Sequence, residues 1–327
     1  MREHNAFTFL FTILLLGLVL FVGRNDVAER EDNPGYQVQA TSLAQVVAAP
    51  ISRDVRFPGV TQAVPKDGAA DADLPTSAFL RTVEIKMPEV AARAVLIVDI
   101  ESGQELFSLN PYQRWPIASL TKLVTAVVAK REIGTEKPVV ISAAAVAAEG
   151  PAGGFGMGEK YLAKDLVRAL ISVSSNDAAE ALSEQYGRGG FVAKMNELAK
   201  ELGMIQTNFA DPTGISSLNQ SSPEDLRKLI AHIYKNHPDI LAHARSKEIE
   251  IRELNSGVAR KLSSINAFSG RMEFLGGKTG YTDEAGGNLI SVFSYLNRPI
   301  VIVVLGTDDR FGETEKLFEW VKKSYAP

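Results

Sequence analysis

The stretch GGKTGYTDEAGGNLISVFSYLNRPIVIVVL, residues 276–305, decides the fold of this 327-residue chain. Three segments within it have the length and composition of consecutive strands: 276–281, 288–295 and 299–305. Far upstream, residues 94–107 have the pattern of a β-hairpin. Helical patterns occupy the interval and end the chain, at 120–130, 162–173, 191–202, 222–236 and 313–323. The sequence predicts an α/β (α+β) fold, in which helices flank an antiparallel sheet that pairs its first and last segments and carries an inserted helical region.

Composition excludes several classes of function. The net charge is −4 and the isoelectric point is near 5.7, so we expect no nucleic-acid partner. The chain has no cysteine, which excludes disulfides, thiol catalysis and cysteine metal sites. The four histidines have neither metal-ligand spacing nor the context of a Ser-His-Asp triad, so we expect no metal. Residues 153–156 are glycine-rich but lack the Lys-Ser/Thr of a phosphate loop, so we expect no cofactor, only a mobile loop beside the cleft.

The amino terminus predicts membrane attachment. Residues 6–23 are 18 consecutive uncharged positions, which as a helix would span about 27 Å. No good cleavage site follows, so we interpret residues 1–23 as a single-pass anchor or an uncleaved signal rather than a cleaved one. Residues 24–80, with recurrent Pro and Gly, predict a flexible stalk, and 81–327 form the packed domain to which the motifs below assign a catalytic role. Charge does not orient the anchor.

The first chemical motif is Ser119-Leu120-Thr121-Lys122, the only Ser-x-x-Lys in the chain. At this helical spacing the two side chains share one face, and a lysine kept from water can take the proton of a serine hydroxyl. Burial and the like charge of Lys278 are both expected to lower the pKa of Lys122. Pro116 places Ser119 in a first turn, where free N–H groups favour an oxyanion. Alone, the motif is equally typical of an N-cap serine and a surface lysine.

Two further motifs follow along the chain. Lys278-Thr279-Gly280 lies among glycines on a strand, which indicates close approach of another backbone and an edge strand that holds an extended peptide by its terminal carboxylate. Ser174-Ser175-Asn176 lies between two helices, where it could lend a hydroxyl and an amide to the Ser119–Lys122 pair. Ser-x-Asn also occurs at 217–219 and 264–266, so this motif is the least specific.

In this order, the three motifs resemble those of the serine penicillin-recognising enzymes, whose fold is that of the DD-peptidases and β-lactamases. Within them the chain is similar to the low-molecular-mass penicillin-binding proteins that are D-alanyl-D-alanine carboxypeptidases. The stretches that carry this likeness are 118–122, 175–179, 211–214, 277–283 and 310–317. The resemblance covers residues 85 to 327.

The resemblance implies a role for each site residue. Ser119 would be the acyl-ester nucleophile and Lys122 its proton acceptor. Ser174 and Asn176 would complete the proton relay and hold the substrate amide. The substrate carboxylate would be bound by Lys278, Thr279 and Arg310. The backbone N–H groups of Ser119 and Tyr281 would form the oxyanion hole.

The same resemblance implies the partners and the compartment. The substrate would be a peptidoglycan stem peptide ending in D-Ala-D-Ala, and β-lactam antibiotics would be covalent inhibitors. The domain would then lie outside the cytoplasm, on the cell membrane. Endopeptidase action on cross-links remains an alternative. A β-lactamase is less favoured because the chain lacks Glu-x-x-Leu-Asn before Lys-Thr-Gly. A silent wall-binding protein is less favoured because Ser119, Lys122 and Lys278 are all present.

Overall fold

The computed structural model describes residues 79–81, 85–150 and 153–325. The predicted anchor and the predicted stalk as far as residue 78 lie outside the described residues. Within the described ranges, no helix is long and apolar enough to cross a membrane.

The strands lie in four antiparallel groups. They are β1 (Ala94–Asp99), β2 (Glu105–Leu109), β3 (Trp115–Pro116), β4 (Pro138–Val140), β5 (Lys160–Leu162), β6 (Gln220–Ser221), β7 (Glu248–Arg252), β8 (Ala259–Ser263), β9 (Phe274–Thr282), β10 (Gly286–Tyr295) and β11 (Arg298–Thr307). Five of them form the main sheet in the order β2-β1-β11-β10-β9, and the others pair as β3-β6, β4-β5 and β7-β8. β1 pairs with β11, with Ala94 opposite Leu305. The predicted pairing of the first and last segments is confirmed.

Helices fill the interval and end the described part of the chain. They are α1 (Lys122–Glu132), α2 (Ala143–Val146), α3 (Ala163–Ser172), α4 (Asn176–Tyr186), α5 (Arg188–Glu201), α6 (Pro223–Asn236), α7 (Pro238–Ala242) and α8 (Arg310–Ser324). The predicted helix at 222–236 is confirmed as α6, and the Ser222 hydroxyl caps it by accepting the N–H of Asp225.

The start of α1 differs from the prediction. The pattern predicts a helix from Leu120, but Ala118–Thr121 form a tight 3₁₀ turn and the α-helix begins at Lys122. Ala118 has φ +48°, a left-handed conformation that cannot continue into an α-helix. The side chains of residues 122–129 are all buried, so α1 runs through the core.

The domain packs residues that precede the predicted boundary at Arg81. The ring of Phe79 is buried and stacks on Tyr295 at a centroid distance of 5.9 Å. The guanidinium carbon of Arg298 lies 4.6 Å from the centre of the Phe79 ring. The packed part of the chain therefore includes Phe79.

Aromatic side chains join α8 to the sheet. Phe293 of β10 is 1% exposed and stacks on Phe318 of α8 at 4.3 Å between centroids. The ring of Phe268 meets the Phe293 ring edge-on, at 5.3 Å between centroids. These rings form the contact that holds the last helix on the sheet.

We expect Phe293→Ala to lower the free energy of unfolding by about 3–5 kcal/mol, because it leaves a cavity between sheet and helix. Chemical denaturation measures this change. The control is Met272→Ala, whose side chain is 90% exposed and which should change stability by no more than about 0.5 kcal/mol. Equal stabilities of the two variants would show that these rings do not hold α8.

Candidate active site

The turn that carries Ser119 lies against the edge strand β9. A Cβ on Gly280 would lie 2.8 Å from the carbonyl oxygen of Ile117, so only glycine lets the strand come this close. Gly277 and Gly276 have the same reason to be glycine: a Cβ would lie 2.1 Å from the carbonyl oxygens of Ile290 and Leu241 respectively. The glycines thus make room for the protein's own backbone, and they fix the nucleophile turn beside β9.

Lys122 lies one turn beyond Ser119, and its side chain is fully buried. Its Nζ donates to Ser119 Oγ at 3.0 Å and to the carbonyl oxygen of Thr213 at 2.5 Å. The two side chains that the sequence pairs are therefore in hydrogen-bond contact, in the geometry that a nucleophile and its base require.

Burial lowers the pKa of Lys122 to about 7, because the charged form loses its hydration. The carboxylates of Asp211, Asp177 and Glu180 oppose this shift and keep the pKa from falling further. An amine that is partly neutral near pH 7 can accept the proton of the Ser119 hydroxyl.

The second buried lysine, Lys278, lies on β9. Its Nζ donates to Ser174 Oγ at 2.8 Å and to its neighbour's carbonyl oxygen, that of Thr279, at 2.8 Å. Ser174 has φ +59°, which is uncommon for a residue with a side chain and aims its hydroxyl from the α3–α4 connection. The Ser174 hydroxyl thus contacts Lys278, not Lys122 as the sequence suggests.

The pKa of Lys278 is well below its usual range because of burial, and then because of the charges of Lys122 and Arg310. The expected effect of Lys278 on Lys122 is not among the causes that shift the pKa of Lys122. The expectation that burial lowers the pKa of Lys122 is confirmed. The repulsion between the two lysines lowers the pKa of Lys278 instead.

Asn176 begins α4 and is 1% exposed. The preceding Ser175 caps the helix by accepting the N–H of Ala178. Asn176 Nδ2 donates to the carbonyl oxygen of Glu149, and its Oδ1 is buried with no hydrogen-bond partner among the described residues. The amide is therefore held from one side and has an acceptor to offer.

The three remaining predicted residues lie on the second half of β9 or next to it. Arg310, at the start of α8, donates through Nη1 to the carbonyl oxygen of Gly280 at 3.0 Å. Its Nε is buried and unpaired within the described part of the chain. Thr279 is buried beside Lys278. Tyr281 follows Gly280, and its side chain is 61% exposed.

The structure adds a turn, residues 211–214, to which the sequence assigns no role. Asp211 Oδ1 accepts the N–H groups of Thr213 and Gly214, both at 2.7 Å, which directs the Thr213 carbonyl oxygen to Lys122. Gly214 has φ +88°, and a Cβ there would lie 2.1 Å from the carbonyl oxygen of Ala118. The Asp-Pro-Thr-Gly sequence of this turn is one of the stretches that carry the family resemblance, so the resemblance could have marked the turn as part of the site.

Within the described residues, no group of three or more His, Asp or Glu side chains could hold a metal ion. The chemistry on view consists of a hydroxyl nucleophile, a neutral amine as base and cationic groups that can bind an anion. This set defines an active-site-serine hydrolase that works through an acyl-enzyme.

Comparison with known proteins gives the family. Residues 81–309 match the family described as D-alanyl-D-alanine carboxypeptidase. A D-alanyl-D-alanine endopeptidase of Escherichia coli is 29% identical over 299 residues, which cover 88% of this chain and 89% of the relative. The D-alanyl-D-alanine carboxypeptidase DacA of Haemophilus influenzae is 31% identical over 251 residues, 71% of this chain and 62% of the relative. A D-alanyl-D-alanine carboxypeptidase structure from Mycobacterium tuberculosis has a TM-score of 0.68 at 27% identity, covering 73% of this chain and 94% of that one.

The chain therefore belongs to the D-alanyl-D-alanine carboxypeptidase family, and it is a serine-type hydrolase of that family. The family and the fold predicted from the sequence are confirmed.

We expect acylation by penicillin to rise about tenfold per pH unit below pH 7 and to level off above it, since the neutral form of Lys122 is the base. Lys122→Arg keeps a cation that cannot give up its proton, so acylation should fall by about 10²- to 10⁴-fold. Stopped-flow acylation rates measure both effects. Lys130→Arg, on the same helix, is the control for folding. A flat pH profile, or near-normal acylation by Lys122→Arg, would assign the proton to another group.

Proposed function

We propose that the protein removes the terminal D-alanine from peptidoglycan stem peptides that end in D-Ala-D-Ala, through an acyl-enzyme on Ser119. The observation that carries this proposal is the 3.0 Å contact between Ser119 Oγ and the buried Lys122 Nζ, whose pKa is about 7. Membership of the D-alanyl-D-alanine carboxypeptidase family supports the substrate.

In the acylation step, Ser119 Oγ attacks the carbonyl carbon between the two D-alanines while its proton passes to Lys122 Nζ. The backbone N–H groups of Ser119 and Tyr281 would hold the resulting oxyanion. A proton returns to the leaving amine through Lys122 or the Ser174 hydroxyl, which releases free D-alanine. Water then attacks the carbonyl carbon of the ester and gives a proton to Lys122 Nζ. The bond to Ser119 Oγ breaks, Oγ regains a proton, and the shortened peptide leaves. A β-lactam would acylate Ser119 in the same way.

The carboxylate of the terminal residue would bind at Lys278, Thr279 and Arg310. An arriving carboxylate would raise the lowered pKa of the buried Lys278, because the anion favours the charged form of the lysine. The unpaired Nε of Arg310 supplies a second donor near Gly280. Asn176 Oδ1, also unpaired among the described residues, would accept an N–H of the peptide backbone.

We expect a pentapeptide ending in D-Ala-D-Ala to be cleaved at least about 100-fold faster than its terminal amide, from the 2–5 kcal/mol of an unpaired buried charge. Arg310→Ala should weaken this preference without eliminating acylation by penicillin. Ser119→Ala should release no D-alanine, and mass spectrometry should find no penicillin adduct on it. Release of D-alanine from both peptides is measured on one preparation.

Endopeptidase action on cross-links is the second candidate, favoured by the similarity to the Escherichia coli D-alanyl-D-alanine endopeptidase over 88% of this chain. Such a site would accept a D-alanyl bond whose far side is not a free terminus. Equal rates for acid and amide, together with cleavage of purified cross-linked dimers, would establish this activity in place of the first.

The proposed substrate lies outside the cytoplasm, which supports an extracytoplasmic domain held to the cell membrane by residues 1–23. The proposed stalk, residues 24–78 once Phe79 is counted with the packed domain, would reach on the order of 40 Å if flexible, enough to let a tethered domain work on wall polymer.

Protease added to intact spheroplasts should release a soluble domain that begins near Phe79, because the proposed stalk would be open to cleavage and a packed domain resists it. Immunoblotting with amino-terminal sequencing identifies the fragment. A cytoplasmic protein of known location serves as the control for lysis. Protection of the whole chain would place the domain inside the cell and contradict the proposed topology.

A further inference from the structure

Residues 153–159, here called the rim segment, lie beside Asn176. The sequence predicts a mobile loop here, but the structure ties the segment at both ends. The N–H of Gly153 donates to both carboxylate oxygens of Asp177, each at 2.9 Å. The ring of Phe155 is buried and meets Tyr161 edge-on at 4.8 Å. The segment is therefore held by contacts to α4 and β5.

Arg260, on β8, makes the largest set of contacts with the rim segment. Its Nη1 donates to the carbonyl oxygens of Gly153 and Gly154, and its Nη2 donates to both oxygens of Glu159, at 2.9 and 3.1 Å. Its guanidinium carbon lies 5.2 Å from the centre of the Phe155 ring. One planar side chain thus holds the backbone, an acid and a ring of the segment together, which a lysine could not do.

The chain just before the rim segment holds the Asn176 amide. Glu149 accepts from Asn176 Nδ2, and a Cβ on Gly150 would lie 2.7 Å from the same nitrogen. Asp177, which binds Gly153, is the next residue after Asn176. Arg260 binds the carbonyl oxygen of the same Gly153, so a shift of the rim segment would disturb the residue next to Asn176 at the start of α4.

We propose that Arg260 is a positioning residue, which fixes Gly153 against Asp177 and so holds the start of α4 with the Asn176 amide in the orientation that meets the substrate. Arg260 acts through these contacts and does not touch the substrate. The inference rests on the proposed role of Asn176, and it goes beyond that role by making the β7–β8 hairpin part of the site.

The test compares Arg260→Ala with Arg252→Ala, a second arginine of the same hairpin, whose contacts are to Gly257 and Glu250 and not to the rim segment. We expect Arg260→Ala to reduce the rate constant of acylation by penicillin about 10- to 100-fold, from misplacement of a site group. Arg252→Ala should leave it within about twofold. Arg260→Lys keeps the charge without the fork, so its rate should lie between those of Arg260→Ala and the parent.

A double-mutant cycle separates positioning from general destabilisation. If Arg260 acts through Asn176, then Arg260→Ala should add less than about a twofold loss of rate in an Asn176→Ala background. A full loss in that background, or a normal rate for Arg260→Ala alone, would overturn the inference.

A readout without catalysis keeps this inference separate from the proposed function. The side-chain amide resonances of Asn176 in a ¹⁵N-labelled protein should move in Arg260→Ala and stay in place in Arg252→Ala. If the unmodified protein is not acylated by penicillin, the proposed function fails, and these resonances still decide the inference: unmoved signals in Arg260→Ala would refute it.

Discussion

The amino group of Lys122 is buried in the protein interior, and the structure around it meets the needs of that group. A buried ammonium without partners would cost several kcal/mol, so the group is given the Thr213 carbonyl oxygen and the Ser119 hydroxyl as acceptors and loses part of its charge. Thr213 is held by the turn around Asp211, and Asn219 braces that turn by donating to the Asp211 carbonyl oxygen and to Thr121. The same burial that demands these partners makes the amine a usable base.

The strands of the main sheet and five of the helices are predictable from the sequence because their patterns are local, whereas α2, α4, α7 and the short strands outside the main sheet are not among the predicted elements. Residues 299–305 are a continuous apolar run and 288–295 are largely apolar, and in the structure both lie inside the sheet, where most of their side chains are buried. Ser222 indicates the start of α6, because an N-cap needs only a side-chain hydroxyl and a backbone N–H nearby in the sequence. The pairing of Ser119 with Lys122 is equally local, since both belong to one turn and the start of one helix.

The rest of the site depends on contacts between distant parts of the chain, which no local pattern encodes. The Thr213 carbonyl reaches a lysine 91 residues away, and Arg260 reaches Gly153 across 107 residues. A backbone carbonyl carries no residue-type signal at all. Asn219 shows the converse: its Ser-x-Asn pattern looks like the site motif, but its side chain is used to brace the turn beneath Lys122. The left-handed Ala118 that shortens α1 results from packing against Gly214 and Gly280, which lie far along the chain.

The pairing of β1 with β11 also governs when the protein can become active during its synthesis. The partners Ala94 and Leu305 are roughly 200 residues apart, and β11 joins β1 to β10 at the middle of the sheet. A chain emerging from the ribosome therefore carries Ser119 and Lys122 long before the strand that completes their support has been made. Closing so long a loop is slow, and the late strand makes folding a single terminal event. Nascent chains, and chains truncated before β11, would contain Ser119 but would lack the complete sheet, so they would be inactive.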